Sequence, residues 1–399
     1  MSDQMLPPAF VTYGWCRSAY TVVRSLAKRG VQVHVGDSSP FAMSRVSRHA
    51  ASFTRLPDFF SEPEAYVSVL VDALQRTGAK VLLPCFEDIE VVMRYRDRFP
   101  TDLQVALPAQ SDWAIAEDKL DYLAPVAAAG CPVPKSYHVT SHEHLRQLAK
   151  QIAFPAMVKV RMGNGARGVE IIPEATVLEE RFFSIVEEHD LPVARWPILQ
   201  EQLTGRKFKL DGVFDSGKCL ATSVFEILRC KGSGKFGTST YRRTVDQAEL
   251  TRYAVAALEA LNWHGMFNTD WICDEAGVPH LIDINGRLSG AVAVPYEAGM
   301  DLPWIWYQVS IGASNIQAEN ARPDVHVRWI LGDAIALVEH LVAGKLGEAL
   351  RIPIPRWGCR HDDFKLSDPL PFVAQSADYM WKFLRSRGST RPMSKGMIR

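Results

Sequence analysis

The stretch Gly265-Met-Phe-Asn-Thr-Asp-Trp-Ile-Cys273, together with His280-Leu-Ile-Asp-Ile-Asn-Gly-Arg287, decides the fold of the second half of the chain. These two apolar-rich runs flank Asp274-Glu-Ala-Gly277, a polar turn with a glycine, and the pattern predicts a β-hairpin. A turn centred in the middle of that segment places Asp283 diagonally across from Asp270. Diagonal neighbours lie about 7–8 Å apart, within reach of each other's side chains.

The polar side chains of this hairpin are predicted to meet on one face. Asp283 and Asn285 share a face because strand side chains alternate with a period of two, and Arg287 joins them if the strand continues that far. Carboxylate and amide oxygens suit Mg²⁺, and an arginine beside them suits a phosphate or an acyl phosphate. The alternative is an ordinary hairpin with a solvated acidic face.

Length and composition indicate a globular enzyme of two or three domains. The chain has 399 residues, of which 47% are hydrophobic and 23% charged. Lysine plus arginine equals aspartate plus glutamate, at 45 each, so charge gives no argument for nucleic acid or an anionic membrane as a partner. No apolar run reaches the roughly 18 residues of a membrane span, and the N-terminus lacks a signal-peptide pattern.

The seven cysteines have no zinc-binding or CxxC spacing. They are expected to be reduced thiols in a cytoplasmic protein rather than a disulfide framework. They occupy positions 16, 85, 131, 219, 230, 273 and 359.

The first hundred residues predict a small open α/β domain with a parallel sheet, because strand and helix patterns alternate. The predicted elements are strands at 9–15, 31–35 and 80–84 and helices at 19–29, 66–76 and 87–98. Arg17 and Glu87 follow strands, and ligands of such sheets bind at the carboxyl ends of strands. Both residues are therefore candidate substrate contacts, with surface scaffold residues as the alternative. No GxGxxG segment indicates a dinucleotide.

A glycine-rich loop between two predicted strands is a candidate phosphate site. Lys159 lies at the end of one strand, and three glycines follow within 163–168. Exposed backbone N–H groups there suit phosphate oxygens, and the lysine adds a compact charge. The alternative is a flexible hairpin tip.

Two further segments carry weaker indications. The predicted strand 197–203 offers backbone groups to an adenine edge, and Glu201 offers a carboxylate to the amino group or the ribose. The segment 229–243 predicts a mobile basic loop, which includes Lys235 and Arg242 and could hold an anionic substrate or the γ-phosphate. An exposed strand edge and a solvated loop are the respective alternatives.

The order of these parts resembles the ATP-grasp superfamily over roughly residues 5–315. Even the exit from the hairpin, Ala298-Gly-Met-Asp-Leu302, is similar to the Gly-x-Asp-Leu that follows it in biotin carboxylase and carbamoyl phosphate synthetase. The matching motifs in order are Asp118-Lys119, Lys159 with the loop Gly163–Gly168, Gln200-Glu201, Asp270, and Asp283-Ile-Asn-Gly-Arg287.

The resemblance implies a role for each candidate residue. Lys119 and Lys159 would contact ATP phosphates beneath a lid formed by Gly163, Asn164, Gly165, Ala166 and Gly168, and Glu201, with the backbone of Gln202 and Leu203, would hold the adenine side. Asp270, Asp283 and Asn285 would bind one or two Mg²⁺, or Mn²⁺, and Arg287 would stabilise the phosphoryl group and the acyl phosphate. Lys235 and Arg242 of the basic loop are further candidate catalytic residues. The family usually has glutamate at the positions of Asp270 and Asp283, which leaves the metal count open. The family also often has an acidic residue near the ribose, at about the position of Lys207 or Lys209. Both positions are basic here, so the resemblance does not support a ribose contact there.

The implied activity is ATP-dependent joining of a carboxylate to an amine through an acyl phosphate. Its substrates would be small molecules, and amino acids are expected. A homodimer is common in proteins that resemble this one, but the sequence leaves the oligomeric state open. The alternatives are bicarbonate activation for carboxylation or carbamoylation, and a catalytically inactive nucleotide-binding scaffold.

The predicted domains are an N-terminal α/β domain at 1–112, a linker helix at 113–132, a central lid lobe at 133–202, a C-terminal ATP-grasp lobe at 203–315 and an extension at 316–399. In the extension we expect a strand and a helix at 328–346, a loop at 353–371 and a helix at 377–385. His361 and the two aspartates after it are expected to be solvated loop residues, with a metal site as the alternative.

Overall fold

A computed structural model of the protein describes residues 5–163, 168–231, 237–352, 354 and 356–385. Three β-sheets with flanking helices form its framework in the described residues, and the predicted α/β fold, with an open parallel sheet in the N-terminal domain, is confirmed. The predicted site residues Asn164, Gly165, Ala166 and Lys235 lie outside the described residues.

The N-terminal sheet has four parallel strands in the order β3-β2-β1-β4, as the alternating pattern predicts. The elements are β1 (Ala9–Val11), α1 (Arg17–Lys28), β2 (Val33–Asp37), β3 (Ser52–Arg55), α2 (Pro63–Thr77), β4 (Val81–Leu83) and α3 (Asp88–Arg94). Short 3₁₀ turns occupy Met43–Val46 and Arg96–Arg98. The carboxyl ends of β1 and β4 lead into α1 and α3, and therefore bring residues 13–18 and 86–88 to one edge.

Two short helices connect this domain to the second sheet, where a single linker helix was expected: α4 (Gln110–Glu117) and α5 (Leu123–Ala128). The second sheet has the order β5-β8-β6-β7 with antiparallel pairs. Its elements are β5 (Ser136–His138), α6 (His142–Leu148), β6 (Ala156–Lys159), β7 (Val169–Ile172), α7 (Leu178–Glu188) and β8 (Ile198–Glu201), with 3₁₀ turns at Ala175–Val177 and Val193–Arg195. Two helices pack a separate core against this sheet around Phe182 and Leu199.

The largest sheet has seven strands in the order β13-β12-β9-β10-β11-β14-β15 and carries the predicted hairpin at one edge. Its first part comprises β9 (Arg206–Asp215), β10 (Lys218–Cys230), β11 (Ser239–Val245), α8 (Ala248–Ala260), β12 (Gly265–Cys273), β13 (Pro279–Asn285), α9 (Ala293–Glu297) and α10 (Leu302–Ser310). Trp306 of α10 is buried in the core that the N-terminal sheet and α1 share with β9 and β12. The N-terminal domain is thereby fixed to the large sheet by apolar packing.

The region after residue 315, predicted as a C-terminal extension, adds two strands to the large sheet. It forms β14 (His326–Arg328), α11 (Ile330–Val342), α12 (Leu346–Arg351), β15 (Arg360–His361) and α13 (Leu370–Arg385). β14 pairs with β11, and β15 pairs with β14 in the segment expected to be a loop. Sheet pairing satisfies backbone groups that a loop would leave to water.

The prediction of solvated side chains at residues 361–363 is wrong for the two aspartates. Asp362 and Asp363 are 0% and 1% exposed. Asp362 forms ion pairs with Arg17 and Arg242, and Asp363 accepts hydrogen bonds from the N–H groups of Ile330 and Leu331. Charge can be buried there because each carboxylate has fixed partners.

None of the helices in the described ranges is both long and apolar enough to cross a membrane.

Replacing Gly265 by alanine is expected to reduce the free energy of unfolding by about 2–4 kcal/mol. Gly265 begins β12 with φ +93°, and an added Cβ would lie 2.4 Å from the carbonyl oxygen of Ala106. Gly277→Ala, in the turn of the same hairpin, is the matched control. It also has positive φ but no atom near the added Cβ, so about 1 kcal/mol is expected. Urea unfolding followed by circular dichroism measures both, and equal losses would contradict the steric explanation.

Candidate functional site

A cleft of about 410 Å³ lies where the three sheets meet. One end is formed by the hairpin β12–β13 and by the ends of β6 and β7. The other end is formed by the loops after β1 and β4 and by residues from the C-terminal region. The predicted site residues that line it are Lys119, Lys159, Gly163, Asp270, Asp283, Asn285 and Arg287. The structure thus brings together residues that are up to 168 positions apart, from Lys119 to Arg287.

The two aspartates of the hairpin are directly opposite each other, where a diagonal arrangement was expected. Asp270 pairs with Asp283, whereas the next residue of β12, Trp271, pairs with Leu281. Ile282 is therefore an extra residue in a β-bulge, and it also lines the cleft. The bulge turns both carboxylates to the same face, and directly opposite residues lie closer together than diagonal ones.

Each aspartate is held by a lysine from a different element. Lys209 on β9 places its Nζ 2.8 Å from Asp270 Oδ1, and it also donates to Asn268 Oδ1 at 3.2 Å. Lys119 places its Nζ 3.1 Å from Asp283 Oδ1 and donates to the carbonyl oxygen of Gly163 at 3.2 Å. Like charges directly opposite each other repel, and these two ammonium groups offset that repulsion.

A hydrogen-bonded chain runs from Asp270 to the N-terminal domain. Asn285 Nδ2 donates to Asp270 Oδ2 at 3.1 Å, and Arg287 donates to Asn285 Oδ1 at 3.1 Å. Arg287 Nε also donates to Glu87 Oε1 at 2.6 Å, and Glu87 is 3% exposed. Burial lowers the pKa of Arg287, but Glu87 and Glu117 outweigh it and raise the pKa overall. The guanidinium is thus fixed as a cation beside the aspartates.

Lys159 and Lys119 are both buried at the cleft, but their pKa values are shifted in opposite directions. Burial lowers the pKa of Lys159 to about 8, although Asp283 opposes the shift, and the nearby charge of Lys119 adds to it. Burial also lowers the pKa of Lys119, but its ion pair with Asp283 outweighs burial, so that its pKa is raised. Lys119 is therefore ion-paired with Asp283 in this structure, whereas Lys159 forms no ion pair among the described residues.

The hairpin oxygens fit a divalent cation. Asp270, Asp283 and Asn285 offer two carboxylates and one amide oxygen, which are ligand types that Mg²⁺ prefers. The two aspartates are about a quarter exposed, so solvent and ligands reach them. Lysine ammonium groups already lie against both carboxylates, which shows that this spot accommodates positive charge. In the described parts of the chain, no three His, Cys, Asp or Glu side chains form a metal cluster, so the amide oxygen is needed to complete the set.

The residues predicted at the adenine side do not line this cleft within the described chain. Glu201 ends β8, and its Oε1 accepts a hydrogen bond of 2.8 Å from the backbone N–H of Lys135. Gln202 has a buried Oε1 without a hydrogen-bond partner among the described atoms. The carbonyl oxygen of Gly168, at the end of the glycine loop, accepts a hydrogen bond of 2.9 Å from the N–H of Val160.

Arg242 is not in a mobile loop, which corrects the prediction for residues 229–243. β10 continues to Cys230 and β11 begins at Ser239, so the connection is shorter than expected. Arg242 lies on β11 with 0% exposure, is ion-paired with Asp362, and does not line the cleft. The C-terminal region covers this strand and supplies the aspartate that neutralises the arginine.

Sequence reasoning missed three features of the site. Lys209 was seen only as a departure from a family pattern, although it shares a strand face with Asp211 at the period of two that could have indicated a charged face. Burial raises the pKa of Asp211 to about 7. Lys231, which belongs to the predicted basic loop, also lines the cleft, whereas Trp329 and Tyr379 line it with no motif to indicate them.

A family model described as "ATP-grasp in the biosynthetic pathway with Ter operon" matches residues 195–332, which include the hairpin. Two relatives are carbamoyl phosphate synthase large chains. The one from Methanosarcina barkeri is 23% identical over 73% of this chain and 28% of its own length. The one from Clostridium acetobutylicum is 22% identical over 56% of this chain and 19% of its own length. The chain thus spans less than a third of the length of these relatives.

Solved structures share the fold over most of the chain. Biotin carboxylase from Campylobacter jejuni has a TM-score of 0.68 at 18% identity, over 82% of this chain and 75% of its own. The biotin carboxylase domain of 2-oxoglutarate carboxylase from Hydrogenobacter thermophilus, solved with MgADP and bicarbonate, has a TM-score of 0.65 at 16% identity, over 80% and 73%. L-amino acid ligase from Bacillus licheniformis has a TM-score of 0.59 at 14% identity, over 81% and 79%.

These matches agree with the order of the motifs and with the sheet topology. Enzymes with this domain are ATP-dependent ligases. Residues 195–332 thus match an ATP-grasp family model, and most of the chain shares its fold with these solved structures.

Proposed function

We propose that the protein is an ATP-dependent ligase that activates a carboxylate as an acyl phosphate and joins it to an amine, with release of ADP and phosphate. The observation that carries this proposal is the charge of the cleft. Among the described residues, six basic side chains line it, and two acidic ones lie at its hairpin end. They are Arg17, Lys119, Lys159, Lys209, Lys231 and Arg287, against Asp270 and Asp283. A cleft with this excess of positive charge suits a nucleoside triphosphate and a carboxylate substrate together.

The phosphate groups would be held from two sides. Lys119 and Lys159 reach the cleft from the linker and from β6, and among the described residues Lys159 forms no ion pair that would compete with a phosphate. Mg²⁺ held by Asp270, Asp283 and Asn285 would neutralise phosphate charge and orient the oxygens for in-line transfer. Lys209 and Lys119, which balance the two aspartates, would then be able to turn toward phosphate oxygens.

The acid would be activated next to Arg287. A carboxylate oxygen forms a bond to the γ-phosphorus as the bond from that phosphorus to the β–γ bridging oxygen breaks, and ADP leaves. An amine then attacks the acyl carbon, phosphate leaves with its oxygen, and the amine loses a proton. Arg287 offers a fixed cation for the charge that develops on the transferred group, because Glu87 and Asn285 hold it in place.

Release of ADP from Mg²⁺-ATP, measured with acids and amines singly and in pairs, tests the proposal. Release that depends on an acid and an amine together is expected. Release with bicarbonate alone would favour the carboxylation alternative, and nucleotide binding without turnover under any mixture would favour an inactive scaffold.

Asp283→Asn is expected to lower turnover by about 100-fold or more, because the amide removes a metal-binding charge without changing the side-chain size. The matched control is Asp274→Asn in the turn of the same hairpin, where the carboxylate accepts from Val278 N–H and contacts His280. The control should retain turnover. ADP release across a Mg²⁺ titration measures both, and unchanged turnover in Asp283→Asn would remove the metal assignment.

Arg287→Ala is expected to lower turnover by about 100-fold while ATP binding changes little, since the arginine acts on charge that forms during transfer. Arg252→Ala on the exposed side of α8 controls for loss of an arginine. Isothermal titration with ATP and steady-state ADP release separate the two effects. Loss of ATP affinity with normal turnover at saturation would contradict this role.

Raising the pH through about 8 is expected to weaken ATP binding by as much as about 10-fold per pH unit. The pKa of Lys159 is lowered to about 8 by burial, so the free protein loses this ammonium charge as the pH rises, and a neutral amine binds phosphate less well. Lys159→Arg keeps its charge, because a guanidinium does not lose its proton in this range, and should show a flatter dependence. Titrations between about pH 7.5 and 9.5 compare the two; equal slopes would exclude Lys159 as the titrating group.

A further inference from the structure

The end of the cleft away from the hairpin has an aromatic wall. Two stacked ring pairs form most of it: Tyr13 with Phe86, whose centroids are 4.3 Å apart, and Trp15 with Tyr379 at 5.6 Å. Tyr13 meets Trp15 edge-on at 6.1 Å, which joins the pairs, and Trp329 meets Tyr379 edge-on at 6.0 Å. All five side chains line the same cleft as Arg287 and Asp283. We call these five residues the aromatic wall.

The wall is built from distant parts of the chain. Tyr13, Trp15 and Phe86 come from the loops that follow β1 and β4, and they are partly exposed. Trp329 and Tyr379 come from the C-terminal region and are 2% and 6% exposed. Rings that served only as packing would be expected to be buried throughout, whereas here three of five keep accessible surface at a cleft.

Cations already cover several of these rings. The guanidinium carbon of Arg17 lies 3.7 Å from the Trp329 ring centroid, and Lys382 Nζ lies 4.2 Å from that of Trp15. The guanidinium carbon of Arg287 lies 5.2 Å from the Phe86 ring centroid. Aromatic walls can bind cationic ligands, but here positive charge occupies those positions and would repel a further cation. A ligand with a ring and a negative charge fits this environment better.

Two buried polar atoms at this end have no hydrogen-bond partner among the described atoms. They are Nε1 of Trp329, a donor, and Oε1 of Gln375, an acceptor. Both residues line the cleft, and Gln375 is 2% exposed. A buried polar atom without a partner is costly, so a ligand with polar substituents would relieve both atoms.

We propose that the acid activated in this cleft carries a flat aromatic ring, which lies against the aromatic wall while its carboxylate is directed toward Arg287. This inference rests on the proposed function and narrows its substrate class. Arg287 contacts both ends, since it lies over Phe86 and donates to Asn285. Arg287, which Glu87 holds in place, thus sets the distance between the ring and the carboxylate of the bound acid.

Three probes of similar size test ring and charge separately in the unmodified protein: phenylacetate, cyclohexylacetate and 2-phenylethylamine. Titration calorimetry is done with and without Mg²⁺ and a non-hydrolysable ATP analogue. Phenylacetate is expected to bind about 3- to 10-fold more tightly than cyclohexylacetate, as for aromatic pairs elsewhere. The amine, which has the ring but a positive charge, is expected to bind most weakly.

Phe86→Leu removes one ring of the wall and keeps an apolar side chain. It should reduce the preference for phenylacetate over cyclohexylacetate by about 3-fold or more, and the ratio of affinities is the readout because a general structural effect would weaken both acids. Phe60→Leu is the matched control, since Phe60 is 46% exposed and does not line the cleft. The control should leave the ratio unchanged.

Equal or tighter binding of cyclohexylacetate, tighter binding of the amine, or no binding of either acid would each overturn the inference. An unchanged ratio in Phe86→Leu would also overturn it. The proposed function fails separately, if ADP release never depends on an acid although phenylacetate binds with the expected preference. That result would leave an aromatic acid site without ligase activity.

Discussion

The structure of the cleft depends on two like charges held directly opposite each other. Asp270 and Asp283 would repel across the β12–β13 ladder if they stood alone. Lys209 and Lys119 supply the opposing charges, and they come from a neighbouring strand and from the linker before the second sheet. Lys119 also donates to Gly163 at the start of the glycine loop. Electrostatic balance at the hairpin therefore links it to the segment that follows β6.

A second set of contacts joins the hairpin to the N-terminal domain. Asp270, Asn285, Arg287 and Glu87 form one hydrogen-bonded series across the interface. Glu87 lies beside Phe86 at the carboxyl end of β4, so the loop that bears the aromatic wall also fixes the arginine. Arg287, which is partly buried, thus contacts both the hairpin and the loop after β4, and moving it would break contacts in both directions.

Local patterns predicted the parallel sheet and the hairpin that carries the candidate metal ligands, since these depend on side-chain periodicity and chain order. Alternating apolar runs predicted the parallel N-terminal sheet, and the glycine turn predicted the hairpin. The observed register differs from the predicted one by two residues. The turn centres on Ala276, with Cys273 opposite Pro279, and Ile282 adds a bulge that leaves no mark in an alternating sequence. The partners of Asp270 and Asp283 could not be predicted, since Lys209 and Lys119 approach through tertiary packing.

The C-terminal region shows that charged residues in a polar stretch of sequence are not always exposed to solvent. Asp362 and Asp363 look solvated in sequence, yet Asp362 neutralises two arginines, Arg17 from α1 and Arg242 from β11. Neither arginine could be buried alone without a large cost, and neither could the aspartate. Burial of all three therefore requires the C-terminal region to fold onto both the first helix and the large sheet. The same docking brings Trp329 and Tyr379 against Trp15, so the aromatic wall forms only when the C-terminal region packs against the loop after β1.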